Sequence, residues 1–122
     1  MTNEITSSKA TFKADLESAS IRILDYVPER ITPPIVIINS ASPYLVPSTL
    51  GKQYNLNLEL VVIASTATNK KATENLDQAL HNVLVAMPRY ARVLRVSEPY
   101  NLQTNNAEYL SANISVELEI TI

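Results

Sequence analysis

The fold is decided by QYNLNLELVVIA, residues 53–64, together with the stretch that follows it. In residues 53–64 every even-numbered residue from Tyr54 to Val62 is apolar, which predicts a strand with one face toward a core. Residues 69–87 carry apolar side chains at helical spacing, which predicts an amphipathic helix that Pro88 ends. A strand and a helix with matching apolar faces predict a core between them.

The remaining stretches predict the element order α-β-β-α-β-β. They are a helix over Ser8–Tyr26, an apolar strand over Ile35–Ile38, a strand over Arg89–Glu98 and an alternating strand over Tyr109–Ile122. Residues 39–52 and 99–106 are expected to be long loops. The crossover through the second helix should be right-handed, and an antiparallel sheet in the order third, fourth, second, first strand satisfies it.

These elements predict a single α+β domain over residues 1–122. It has two layers, a mainly antiparallel four-stranded sheet with both helices on the face of the even-numbered residues. This arrangement is a circular permutation of the ferredoxin-like layout. A chain of 122 residues is long enough to bury one core without metal or disulfide bonds.

Composition narrows the function classes. The net charge is −2 and the cations are scattered, which argues against a nucleic-acid-binding surface. The chain has no cysteine, so disulfides and thiol catalysis are excluded, and its single glycine argues against phosphate-binding loops. No apolar run approaches the ~20 residues of a membrane span, and residues 1–9 lack a signal-peptide pattern, so we expect a cytosolic soluble protein.

Candidate catalytic and metal-binding residues are few. His81 is the one histidine, with Asp77 four residues before it, and a lone histidine does not make a metal site. Glu117 and Glu119 share a strand face, but catalysis by paired carboxylates needs a cleft. We therefore expect neither enzyme activity nor a cofactor. Three cations either bind phosphate or a partner's carboxylates or form a solvated edge: Arg89, Arg92 and Arg95.

The odd-numbered face of the predicted sheet is the candidate functional surface. Glu59, Glu117 and Glu119 fall on it, as an ordinary solvated face or as an acidic surface that faces a channel or a basic partner. The same face carries Val61, Ile63 and part of the Ile35–Ile38 run. Either the 39–52 loop or another subunit should cover these apolar residues.

Nearly the whole chain follows a pattern of element sizes and positions that is familiar from one family. The segments that carry the pattern are Pro33-Pro34-Ile-Val-Ile-Ile, Ser42-Pro43-Tyr44-Leu45-Val46-Pro47, Tyr54 to Ile63, Ala72 to Leu80, Val93 to Pro99 and Tyr109-Leu110-Ser111-Ala112. This pattern resembles the tail terminator (tail completion, minor tail U-like) proteins of long-tailed bacteriophages. Related neck and head–tail joining proteins share it.

The resemblance implies a structural protein of the virion tail, assembled in the host cytoplasm, without catalytic residues or membrane contact. Such proteins form a ring, commonly of six subunits, that ends tail-tube polymerisation, docks the head connector and lets DNA pass. On this basis we expect the lumen to be lined by Glu59, Glu117 and Glu119. The expected subunit interface is Ile35, Ile37, Val61 and Ile63. The expected docking loops contribute Tyr44, Leu45, Val46, Leu50, Tyr100 and Leu102.

Two other functions remain open. A ferredoxin-like regulatory or ligand-binding module would need a polar pocket, which only the long loops could supply. A small hydrolase is disfavoured because no nucleophile and base are marked by the sequence.

Overall fold

The computed structural model describes residues 3–19, 21–26, 28–31, 33–48, 51–65, 70–104 and 107–122. Within these ranges the protein is mixed α+β, with two α-helices and a six-stranded, mostly antiparallel sheet. The helices are α1 (Glu4–Leu16), followed by a 3₁₀ turn (Glu17–Ala19), and α2 (Lys70–Ala86). The strands are β1 (Arg22–Leu24), β2 (Ile35–Pro47), β3 (Gln53–Ser65), β4 (Ala91–Val96), β5 (Tyr100–Thr104) and β6 (Ala107–Thr121).

The strand order is β1-β2-β3-β6-β4, and β5 pairs with β6 alongside β4. The four predicted strands correspond to β2, β3, β4 and β6, and their relative order agrees with the predicted one. The predicted count of four strands is wrong, because β1 and β5 join the sheet as well. Only β1 and β2 run parallel among the pairs of described strands.

The first helix is shorter than its predicted range of Ser8–Tyr26. It begins after Asn3, whose side-chain Oδ1 caps it by accepting from the backbone N–H groups of Ile5 (3.0 Å) and Thr6 (3.2 Å). The α-helix ends at Leu16, and Ile23 lies in β1. The helical spacing of apolar residues continues beyond Leu16 in the sequence. Residues 22–24 nevertheless form a strand, because their pairing with residues 35–37 outweighs the local preference for a helix.

The two predicted loops are largely strand. Residues 39–47 extend β2 beyond an irregularity in its pairing with β3. Ser40 lies opposite Leu58 and Leu45 opposite Leu56, so four residues of β2, 41–44, correspond to one residue of β3, Asn57. Residues 100–104 form β5. Gly51 has a φ of 66° in the turn before β3, a conformation that glycine adopts without strain.

Two buried clusters lie on opposite faces of the sheet. The larger cluster joins Phe12 and Leu16 of α1 and four α2 residues with even-numbered residues of β2, β3 and β6. The α2 members are Ala72, Leu76, Ala79 and Val83. The smaller cluster contains no helical residue and is formed by Leu24, Ile31, Ile35, Ile37, Val61, Ile63 and Tyr109. Because of the smaller cluster, the sheet is apolar on both faces at one end.

Tyr90 links the start of β4 to α1, because its hydroxyl donates to Asp15 Oδ2. Partial burial, together with this bond and the Asp15 charge, raises the pKa of Tyr90 from 10.0 to about 12. Since the folded pKa lies above the unfolded one, the stability contributed by this proton is present below about pH 10 and is lost as pH rises toward 12.

We therefore expect a late-titrating tyrosine in the folded protein, seen as tyrosinate absorbance near the pKa of about 12. Tyr90→Phe should remove this late step. Asp15→Asn should lower its pKa only partway, because partial burial remains. An unchanged late step in Tyr90→Phe would assign it to another tyrosine.

Candidate functional surface

The three predicted glutamates lie on one face of the sheet, on the central strands β3 and β6. Across the β3–β6 pair, Glu59 is opposite Ser115. Likewise Glu117 is opposite Asn57, and Glu119 is opposite Asn55. No glutamate is directly opposite another, which spaces the like charges that would otherwise repel. We call this surface, away from the helices, the polar face; Glu59 and Glu117 are half-buried on it and Glu119 is exposed.

Two arginines from β4 join the polar face. Arg92 lies opposite Glu117 and Arg95 opposite Ser115. In a regular strand, residues three apart point to opposite faces, but a register shift between Val93 and Arg95 brings both arginines to one side. The polar face therefore carries both charges, whereas the patterns in the sequence place only the glutamates on it.

A hydrogen-bonded chain holds Glu59 in place. Glu59 Oε1 accepts from Asn113 Nδ2 (3.1 Å), and Asn113 Oδ1 accepts from the Tyr100 hydroxyl (2.7 Å). The Asn113 backbone is fixed by Ser97, whose Oγ accepts the Asn113 N–H (2.9 Å). Burial raises the pKa of Tyr100, and the negative charge of Glu59 adds to this while the bond to Asn113 opposes it. Tyr100 therefore remains a hydrogen-bond donor at neutral pH.

A groove of about 330 Å³ crosses the polar face between the β2 irregularity and β4. Asn57 Nδ2 donates to the Pro43 carbonyl at one wall (3.0 Å), while Asn57 Oδ1 is buried without a hydrogen-bond partner. Glu59, Arg95 and Ser115 also line the groove. An acceptor, a carboxylate, a guanidinium and a hydroxyl thus converge on one space.

The predicted subunit interface is buried inside the single chain. Ile35, Ile37, Val61 and Ile63 are each between 0% and 8% exposed. They belong to the smaller cluster with Leu24, Ile31 and Tyr109, and Leu102 packs against it. The expectation that the 39–52 loop or another subunit covers them is wrong, because side chains from other parts of the same chain do so: Leu24, Ile31 and Tyr109, with Leu102 and Ala107 at the margin.

The predicted docking residues do not lie on free loops. Tyr44, Leu45 and Val46 are half-buried in β2, and Tyr44 and Leu45 pack against the larger cluster. The Tyr44 hydroxyl also accepts from Lys9 Nζ (3.1 Å). Tyr100 and Leu102 lie half-buried in β5. Leu50 lies outside the described residues.

The remaining chemical candidates are dispersed. Asp77 and His81 are exposed on α2, away from the polar face. In the described part of the chain, no three histidine, aspartate or glutamate side chains are grouped so that they could hold a metal ion. Among the described residues, no helix is long and apolar enough to cross a membrane.

Sequence reasoning missed Arg92, Arg95 and Asn113 as parts of this surface. The alternation of β6 places Asn113 in the row of Ser115 and Glu117, so that signal was present in the sequence. The register shift in β4 carries no comparable signal, because Leu94 is an ordinary strand residue.

Comparison with known proteins assigns no family. No protein-family model matches the sequence, and no curated protein matches it. The sequence pattern and the geometry of the polar face are therefore the observations that bear on function.

Proposed function

We propose that this protein is a structural virion protein that caps the tail tube of a long-tailed bacteriophage as a ring, expected to contain six copies. The ring ends tube polymerisation, forms the docking surface for the head connector and lets DNA pass through its lumen. Its partners are its own copies, the tube protein and the connector protein. No catalysis or cofactor is involved.

The observation that carries the proposal is the polar face across β3 and β6, the two long central strands. Each of its glutamates lies opposite an asparagine or a serine of the other strand, and helical residues contribute only to the core on the opposite side. A pore that carries DNA needs a surface without net attraction for phosphate. The face carries three glutamates against the two arginines Arg92 and Arg95, so its balance of charge is negative.

The geometry changes one part of the ring proposal. Because Ile35, Ile37, Val61 and Ile63 are buried in the single chain, they cannot supply the contact between copies. The ring interface must then use side chains that are exposed in the single chain. We likewise expect exposed residues to form the docking surfaces for tube and connector. Leu102 is not among them, because it packs against the smaller cluster.

A tube-growth experiment tests the proposal directly. Tail tube protein of the same phage is polymerised with and without this chain, and tube lengths are read from negative-stain images. We expect growth to stop and a ring to sit at one tube end. Tubes of unchanged length without rings, at saturating protein, would contradict the proposal.

A second candidate is a regulatory module that binds a small polar ligand, favoured by the groove of about 330 Å³. The unpartnered Asn57 Oδ1 and the Arg95 guanidinium supply an acceptor and a cation there. This function predicts a monomer whose Tm rises with a ligand from a panel of small zwitterions. Asn57→Ala and Arg95→Ala should each abolish that rise, whereas Arg89→Ala, outside the groove, should preserve it.

A further inference from the structure

Strand β4 presents an unpaired edge. It is the last strand at one side of the sheet. Its inner edge pairs with β6, and no described strand pairs with its outer edge. All of its residues after Ala91 are exposed, including Val93, Leu94 and Val96 at 36%, 48% and 41%. Free N–H and C=O groups along such an edge are a template for one more strand.

The side chains of β4 form two rows of different chemistry. Arg92 and Arg95 lie on the polar face. Val93 lies opposite Val116 and Val96 opposite Ile114, both buried in the larger cluster, so the two valines lie on the helix side of the sheet. An added strand would meet a cationic row on one face and an apolar row on the other.

The inner neighbour of β4 shows which sequence fits these rows. Strand β6 places Glu117 opposite Arg92 and Ser115 opposite Arg95, while Val116 and Ile114 lie opposite the two valines, so polar and apolar residues alternate along it. An acidic side chain in the polar row can pair with an arginine, as Glu117 can with Arg92. The same two rows are open to a strand on the outer edge. The matching partner is therefore an extended segment in which acidic and apolar residues alternate.

A strand of a second copy does not meet this requirement. Antiparallel pairing of two β4 strands about residues 93 and 94 would set Arg92 against Arg95, and like charges directly opposite are destabilising. The acidic strands β3 and β6 have both edges paired within the sheet. The other free edges among the described strands belong to β1, to residues 38–47 of β2 and to β5, and none of these segments contains an aspartate or a glutamate.

We propose that the outer edge of β4 binds an extended segment of another protein, with alternating acidic and apolar residues, as an added strand. Main-chain hydrogen bonds supply affinity, while Arg92, Arg95, Val93 and Val96 select the sequence and its register. This interaction goes beyond the ring function and does not depend on it.

The probe is a labelled, end-capped peptide with the sequence of residues 113–121, NISVELEIT, compared with its charge-reversed form NISVKLKIT. We expect the folded protein to bind the acidic peptide at least about tenfold more tightly, a ratio equivalent to about 1.4 kcal/mol. Arg92→Glu/Arg95→Glu should reverse this preference, and the reversal shows that the variant is folded. Arg89→Glu, just outside β4, is the matched control and should keep the original preference.

Amide exchange locates the bound peptide. Binding should slow exchange within residues 91–96 and leave residues 107–121 unchanged. Faster exchange in β6 would mean that the peptide displaces β6, and would overturn the proposal. Equal affinity for both peptides, or no binding of either, would overturn it as well. A milder variant, Arg92→Ala/Arg95→Ala, should lose the preference without reversing it.

Discussion

Ile63→Ala should lower the free energy of unfolding of the single chain by about 2–5 kcal/mol, the usual effect of truncating a buried isoleucine. Ile63 is 0% exposed and packs in the smaller cluster, which contains no helical residue. The substitution removes buried methyl groups and leaves a cavity between β3 and the segment that covers it. Urea denaturation at several protein concentrations measures the loss.

Ile122→Ala is the matched control for Ile63→Ala. It makes the same chemical change at a residue that is 49% exposed, and should alter stability by no more than about 0.5 kcal/mol. If Ile63 instead belonged to a contact between copies, Ile63→Ala would change association and leave single-chain unfolding unaltered. That outcome would contradict the burial of Ile63 in the smaller cluster of the single chain.

Glu59→Lys/Glu117→Lys should turn the polar face from one that DNA does not bind into one that DNA does bind. Each substitution changes the net charge by +2, so the net charge goes from −2 to +2. A lysine at position 117 also adds to the positive charge of Arg92 and Arg95. We expect duplex DNA to bind with a Kd of roughly 10⁻⁴–10⁻⁶ M and with strong salt dependence. Phage yield should fall, because DNA that adheres to the lumen is not delivered.

The fold should survive this double reversal. The new like-charge contact beside Arg92 costs at most about 1 kcal/mol, a small part of a typical domain stability of about 5–15 kcal/mol. Glu4→Lys/Asp77→Lys makes the same charge change at exposed positions on two different helices, and should leave both DNA affinity and phage yield near wild type. Normal yield from Glu59→Lys/Glu117→Lys would remove the lumen role of the polar face.

Local patterns in the sequence predict the middle of the fold well. Strong alternation predicts β3 and β6, and helical spacing predicts α2 to within about one residue at each end. The relative order of the four predicted strands is one arrangement that the crossover rule allows, and it is the observed one. The segments predicted wrongly are those whose structure depends on pairing with a neighbouring strand. Residues 22–24 continue a helical apolar spacing but form β1, and residues 100–104 are polar enough to suggest a loop but form β5.

The candidate site was predictable only where it depends on alternation within one strand. Alternation brings Glu59, Glu117 and Glu119 to one face. The arginines required the register shift at Leu94, and burial of Ile63 required strands β1 and β5, so both lay beyond any single-strand pattern. Propensity reports on a strand's own residues, whereas these features depend on its neighbours.

The mass of the protein in solution, with negative-stain images, tests the ring most directly. We expect a defined multiple of the 13.5 kDa protomer with a central hole, in the free protein or on added tail tubes. A strict monomer without rings, both alone and with tail tubes present, would contradict the account.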